Sequence, residues 1–390
     1  MLSFYTASAF GLCAALATAT TASTVPATNE ACQCTFGTLP VPVDLEIPTH
    51  PENGLTTTDL RRLKAVYDIF GVFCQPKEPF GNSGSSQSHL EFSPILRTAS
   101  PDRAQLLLHG STYTHQYWTF PMNGVQNYSY VAHACLQGQT TFAYDQLGVG
   151  LSERPRTSKD VQIPTVAQVS SYIANRLKDG TIAARFGLGE RRFDKVVGIG
   201  HSQGSTIFNY AAIVEPTGTG LDAMILTGHI HDPGFPISSN AVLPTPAREV
   251  NPARWGNLDP GYIATPNRSQ FYSADTSVFS QDVFMLDTLT QDVSTLWYTT
   301  EVLATYRPAR GYTGPVVELV GAMDQLHCTD PDDGGKPCDA HALQIFEAPF
   351  FPDSRNFTAV VREGSGHDVN LDFGAAETFA LLSHLADTLV

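Results

Sequence analysis

KVVGIGHSQGSTIFNYAA, residues 195–212, begins as a short apolar run rich in β-branched residues and ends in a pattern with helical spacing. Between the two halves lies Gly200-His201-Ser202-Gln203-Gly204. A serine on a turn that leads straight from a buried strand into a helix needs small neighbours, because side chains at 200 and 204 would collide with adjacent backbone. The serine itself must adopt a strained backbone, which presents its hydroxyl at the helix N-terminus, where the dipole favours developing negative charge. Ser202 is therefore the candidate nucleophile. The plainer alternative is a glycine-rich turn between buried elements.

A serine hydroxyl needs a base, and the base needs an acid to orient it; in strand-turn-helix sites of this kind they follow in the order Ser, Asp, His. Asp324 stands just beyond PVVELVG (315–321), and His367 stands in GSGHD (364–368), just beyond TAVVRE. Both positions are strand ends on one side of a parallel sheet, where open α/β folds assemble their sites. Asp232 is the rival acid, and Asp368 reads as a turn or capping residue. A developing oxyanion needs two N–H donors. The expected pair is the backbone of Gln203 and that of Ser111, with Thr112 as the alternative, in the loop of LLLHGSTYTHQYW (106–118). His109 is expected to brace that loop.

Working outward, short apolar runs predict strands at Gln105 to Leu108, Thr141 to Tyr144, Lys195 to Ile199, Ala223 to Leu226, Val316 to Val320 and Thr358 to Val361. Helical patterns alternate with them at Thr165 to Leu177, Ser205 to Val214 and Ala375 to Leu389. Such alternation predicts an α/β fold with a mostly parallel sheet flanked by helices. The connection over 232–313 is too long for a simple crossover and is rich in proline and aromatics, with a helical pattern around Ser277 to Leu303. It reads as a cap inserted before the strand that precedes Asp324. The expected division is a signal peptide over 1–19, an N-terminal extension over 20–75, a core over 76–231 and 314–390, and the cap over 232–313. Within the extension, TTDLRRLKAVYDIF (57–70) predicts a helix capped by Thr58 or Asp59.

His109-Gly110, YDQLGVGLSERP (144–155), Gly200 to Gly204, Gly321-Ala-Met-Asp324 and Gly364-Ser-Gly-His367 stand in an order that resembles the α/β-hydrolase superfamily, of the kind with one inserted cap. The resemblance implies a serine hydrolase fold from about Leu106 to the C-terminus, with Ser202, Asp324 and His367 as the triad and Asp145 to Ser152 as a structural turn. Epoxide hydrolases and haloalkane dehalogenases of that superfamily carry aspartate at the elbow, which Ser202 is not. Proline-specific exopeptidases typically flank the serine with glycine and tryptophan, unlike His201 and Gln203. GHSQGS is similar to the elbow of acid lipases and many esterases, which points to carboxylic esters, lactones or other acyl bonds. Alternatives are a lyase or acyltransferase using the same triad, a serine peptidase, and a non-catalytic binding protein that keeps the fold.

The charge balance of 23 basic against 38 acidic side chains, net -15, disfavours nucleic acid and anionic membrane surfaces as partners and leaves a small acyl substrate. The first lysine or arginine is Arg61; before it, the apolar run Ala9 to Ala17 and the small residues near Ala19 and Ala22 read as a signal peptide, too short to anchor in a bilayer. Secretion fits the six cysteines that remain, Cys32, Cys34, Cys74, Cys135, Cys328 and Cys338, an even number that suggests three disulfides. Cys328 and Cys338 flank TDPDDGGKP and are the easiest local pair, which leaves the other four to pair among themselves. Asn127, Asn267 and Asn356 stand in N-glycosylation sequons. No cofactor is expected and no metal: His229 and His231 in HIHD lack a carboxylate or histidine set at ligand spacing, and read as hydrogen-bonding residues at a strand end.

Overall fold

Along Leu39 to Ile47, buried residues alternate with exposed ones, and the exposed set includes Pro40 and Pro42. That is the period of a half-buried strand, and proline is admissible only where no ladder partner awaits its missing N–H, at a sheet edge. The computed structural model places this segment accordingly, as the edge strand β1 (Cys32–Pro48), paired antiparallel with β2 (Leu60–Pro76) over the whole length of both. It describes residues 32–49, 59–77, 102–120, 128–231, 245–328 and 338–390. The expected signal peptide, Asn127, Asp232 and TDPDDGGKP lie outside these.

The helix expected over 57–70 is thus corrected: from Leu60 on, the segment is a strand, and Thr57 and Thr58 lie outside the described residues. Leu60, Leu63, Tyr67 and Phe70 have helical spacing, but Leu63, Tyr67 and Ile69 also fit a period of two, and pairing with β1 selects the second reading. β2 joins the main sheet at β4, so the stretch expected as an extension supplies two of its strands.

Beyond the hairpin come β3 (Arg103–Leu108), β4 (Thr140–Tyr144), β5 (Lys195–His201) and β6 (Ala223–Thr227). The chain then forms a small three-stranded sheet from β7 (Thr245–Pro246), β8 (Tyr262–Ala264) and β9 (Ser294–Thr295), and returns as β10 (Val316–Gly321) and β11 (Phe357–Arg362). The eight-stranded sheet has the order β1-β2-β4-β3-β5-β6-β10-β11 and is parallel from β4 to β11.

Neighbouring residues of the inner strands face opposite layers. Leu106 and Leu108 pack with the helices Ile163–Lys178 and Gln203–Val214, whereas Leu107 packs with Tyr130–Leu136 and Ala375–Thr388. Both faces of the sheet are therefore covered, which is why the parallel strands read as unbroken apolar runs. The helical pattern expected over Ser277 to Leu303 is two helices, Gln281–Thr290 and Leu296–Glu301, separated by β9.

Three disulfides join Cys32 to Cys135, Cys34 to Cys74 and Cys328 to Cys338. Among the described residues no helix is long and apolar enough to cross a membrane.

Candidate active site

Ser202 follows the last residue of β5 with φ 51° and ψ −116°, and the helix Gln203–Val214 starts one residue later. Only Thr112 and Ser202 among the described non-glycine residues have positive φ. The flanking glycines are obligatory: a Cβ on Gly200 would lie 2.5 Å from the Ser205 nitrogen, and one on Gly204 would lie 2.3 Å from the Leu108 oxygen. As the first helical residue, Gln203 has an N–H with no intrahelical acceptor. The loop after β3 comes close to this turn, since a Cβ on Gly110 would be 3.1 Å from that of Ser202.

The loops after β10 and β11 supply the other two residues. His367 Nδ1 donates to Asp324 Oδ2 at 2.8 Å, and both side chains are buried. Asp324 Oδ1 also accepts from the backbone of Leu326 at 2.7 Å and His327 at 3.2 Å. Burial alone would raise the Asp324 carboxyl, but the charges of His367 and His327 and these hydrogen bonds outweigh it and hold it at about 2. Burial likewise disfavours the His367 imidazolium, yet Asp324 overcomes this and raises its pKa above the ordinary value. His367 Nε2 is buried and has no hydrogen-bond partner, so the bond to Ser202 is not formed. The His201 ring lies beside His367, with centroids 4.9 Å apart. Cys328 donates from its backbone to the Asp324 carbonyl at 2.8 Å, so the Cys328 to Cys338 bridge adjoins the turn that carries the acid.

His109 is a brace. Its Nδ1 donates to the Gly110 carbonyl at 2.8 Å and its Nε2 accepts from the Gln146 backbone at 3.0 Å, which fixes a neutral tautomer; burial lowers its pKa to about 4. Gln146 receives a bond from Gln203 Nε2 at 3.1 Å, and Ser294 of β9 donates to Gln203 Oε1 at 2.9 Å. Asp145 stays in its turn, accepting from the His115 backbone at 2.7 Å and from Leu151 at 2.8 Å.

Several residues here escaped sequence reasoning. Asp368 is no simple turn residue: its Oδ1 lies 3.1 Å from His201 Nε2, and its Oδ2 accepts from the Tyr113 hydroxyl. Thr227 Oγ1 donates to Gly200 O, so it accepts from His201 Nδ1, which leaves Nε2 as an acceptor and the proton on Asp368. Burial pushes Asp368 up to about 6, against the opposing effects of His367 and Arg268, so this proton is held below that pH and is mostly lost at neutrality. Arg268, fully buried, makes paired bonds of 2.8 Å to Asp287 and donates to Thr112 Oγ1 at 2.9 Å. Thr112, the second strained residue, is thus held from the connection between β6 and β10. No local spacing announces these partners, although the adjacency of Asp368 to His367 was a signal.

His229 and His231 are not short of carboxylates. Glu318 of β10 and Glu347 are brought to them in space, at 3.2 Å from His229 and 2.6 Å from His231 respectively. Asn267 and Asn356 are exposed.

The sequence profile of the alpha/beta hydrolase family matches residues 105–381. A soluble variant of monoglyceride lipase from Saccharomyces cerevisiae, solved with a substrate analog, is similar in structure at 14% identity with a TM-score of 0.50, covering 83% of this chain and 92% of that one. Monoacylglycerol lipase of Paleococcus ferrophilus is similar at 15% identity and a TM-score of 0.48, covering 74% and 95%. An esterase from Exiguobacterium antarcticum is similar at 14% and 0.47, covering 88% and 100%. No curated protein matches the sequence. A profile match over most of the chain, on a parallel sheet whose β5 ends in Gly200-His201-Ser202-Gln203-Gly204, identifies this protein as a member of the alpha/beta hydrolase family.

Proposed function

We propose that this hydrolase cleaves a carboxylic ester, including lactones and related acyl bonds, with Ser202 as nucleophile, His367 as general base and Asp324 as the orienting acid. The observation that carries the reading is the state of His367: Nδ1 is fixed by Asp324, while Nε2 is buried without a partner at the strand ends where Ser202 stands. In the reaction Nε2 accepts the Ser202 proton as Oγ bonds to the acyl carbon, then returns it to the departing alkoxide. Water, deprotonated by the same nitrogen, bonds to the acyl carbon as its bond to Ser202 Oγ breaks, and Nε2 returns the proton to Oγ, which releases the acid and restores the enzyme. The N–H groups of Gln203 and Ser111 are assigned to the oxyanion.

The cap, 232–313, of which residues 245–313 are described, is assigned the role of selecting the substrate. Support comes from their contacts with the site: Ser294 holds Gln203, Tyr298 donates to Thr206 at 2.8 Å, and the Asp368 backbone donates to Phe271 O at 2.8 Å. The triad recognises only the acyl centre, so discrimination must come from walls of this kind. Three disulfides fit the proposed secretion, with Asn267 and Asn356 as glycan acceptors.

The test is labelling by a fluorophosphonate together with turnover of a panel of acyl esters, with and without competing alcohols. Wild type should be labelled at Ser202 and release acid from at least one ester. Absence of labelling in folded protein sinks the mechanism, and acyl transfer to alcohol in preference to water replaces hydrolysis with transfer.

A further inference from the structure

Glu318 is a carboxylate in the middle of an inner parallel strand, only 2% exposed, between Leu226 of β6 and Ala359 of β11 in register. Such a position is normally apolar, and burying a charge there is costly unless it is paired. Its surroundings are His229 and His231, just beyond β6, and Glu347 at the end of the helix Ala340–Glu347, all at most 4% exposed. Among the described residues, the ion pairs of Glu318 and Glu347 are to these two histidines, not to lysine or arginine. Two carboxylates therefore meet two imidazoles with no fixed positive charge.

Three of these four side chains, His229, His231 and Glu318, have ligand atoms spaced as in a coordination shell. One ligand atom from each of His229, His231 and Glu318 lies within 4.8 Å of the others. Glu318 Oε1 is 3.2 Å from His229 Nδ1 and 3.8 Å from His231 Nδ1. Ligands of a tetrahedral ion with bonds of about 2.0–2.1 Å stand roughly 3.3 Å apart, which these distances bracket. Glu347 is not one of these three mutually close groups: its Oε2, 2.6 Å from His231 Nδ1, accepts the proton that an ion would replace, and it becomes a ligand only by withdrawing from that nitrogen.

The outer contacts fit as well. Glu347 Oε1 accepts from the His231 backbone at 2.7 Å, which fixes the carboxylate. Asn209 Nδ2 donates to His231 Nε2 at 2.7 Å, and Asn209 Oδ1 has no hydrogen-bond partner. An ion on Nδ1 puts the proton on Nε2, and the same amide turned over offers Oδ1 to it, the outer-shell bond that ligating histidines generally make. Glu318 Oε2 and His229 Nε2 are also buried without partners.

From this geometry we propose that His229, His231 and Glu318, with Glu347 drawn in from its bond to His231 as the fourth donor, form a buried structural site for one divalent transition-metal ion of the zinc class. Nitrogen and carboxylate donors in a four-coordinate, fully buried arrangement suit zinc over calcium or magnesium, which prefer six or more oxygens. The ion ties the end of β6 to β10 and to the helix Ala340–Glu347. It sits one residue from Gly228, whose Cβ position is 3.0 Å from the His367 ring. A second group, Asp324, His327 and His367, has comparable spacing but belongs to the candidate active site.

The experiment is metal stoichiometry on the full-length protein, stripped with a chelator, loaded with zinc chloride, passed through gel filtration and assayed by plasma mass spectrometry. Wild type and the His367→Ala variant should each keep one zinc per chain, and Glu318→Gln and His229→Gln none. Zinc should raise the melting temperature of wild type but not of Glu318→Gln. Wild type that keeps less than a tenth of an equivalent overturns the proposal, as does loss of zinc in His367→Ala, which would put the ion at the triad. If the Glu318→Gln and His229→Gln chains do not fold, cobalt in place of zinc decides on the His367→Ala protein. Tetrahedral visible bands at one equivalent support the site, and their absence overturns it.

Discussion

Asp368 Oδ1 lies 3.1 Å from His201 Nε2, so the residue before the candidate nucleophile is bonded to the residue after the candidate base. The two strand-end loops are thereby linked through a carboxyl that keeps its proton below about pH 6. An amide has the same shape and needs no proton. Asp368→Asn should therefore keep the bonds to His201 and Tyr113, whereas Asp368→Ala should lose about 2–3 kcal/mol by leaving buried polar atoms unpaired. The sign with pH is fixed. A carboxyl raised to about 6 in the folded state makes stability fall as pH rises from its unfolded value through about 6. Asp368→Asn should lack that decline. Denaturant midpoints at pH 4 to 8 will read it, and a variant as pH-dependent as wild type would refute the assignment.

Ser202→Ala should reduce ester turnover by several orders of magnitude without unfolding the protein. Ser202→Gly should be equally inactive but more stable than the alanine variant by about 1 kcal/mol, because glycine relieves the cost of φ 51°. Thermal melts of the two proteins side by side check this.

His367 must be neutral to accept a proton, and Asp324 raises its pKa, so activity should be lost as pH falls through a midpoint above the ordinary histidine value of about 6.5. The stabilising effect of the pair runs the other way: it is fully present below the unfolded value and disappears as pH rises through the folded one. Rate profiles and melts, each taken as the difference between wild type and His367→Gln, should slope oppositely across that window. A rate that stays flat from pH 4 to 8 with chemistry limiting would remove His367 from the role.

Replacing Cys328 and Cys338 by serine should cost about 2–3 kcal/mol in the chain-entropy account for a loop of this size. Because Cys328 is bonded to the Asp324 carbonyl, kcat should fall at temperatures where the variant is still fully folded. Mass spectrometry of the non-reduced wild type should find none of the six cysteines from Cys32 to Cys338 open to alkylation.

Arg268→Met strands Asp287 in a buried site and should destabilise by about 3–5 kcal/mol. Adding Asp287→Leu should recover most of that loss. With Thr112 no longer held, the double variant should show a lower kcat at near-native stability. Unchanged turnover would show that Arg268 serves the fold alone.

The candidate residues Ser202, Asp324 and His367 stand out in the sequence because each is announced locally, by a turn between a buried strand and a helix or by a glycine-rich strand end. The parallel strands could be read because burial on both faces leaves unbroken apolar runs. β2 misled because its apolar residues satisfy both helical and extended periods, and the deciding factor, seventeen residues of pairing with β1, is non-local. Glu318 illustrates the same limit: it lies 89 residues from His229, and only the sheet register brings them together. Arg268, Thr112 and Asp368 meet through loops whose chemistry depends on burial that no spacing encodes.

The β1–β2 hairpin also bears on how the correct cysteines find each other. Cys34 and Cys74 are direct cross-strand partners, with Cα atoms 4.1 Å apart, so the register of the ladder selects this bridge before oxidation. Cys32 faces Pro76 and is left for Cys135. A one-residue slip would turn every inward side chain outward and is excluded by burial. A slip of two residues keeps the faces, and in one direction it sets Cys32, not Cys34, opposite Cys74. The Cys-x-Cys spacing thus offers a wrong thiol at the very misalignment that hydrophobic patterning penalises least, and the finished bridge is a covalent record of which alignment was in place when the hairpin was oxidised.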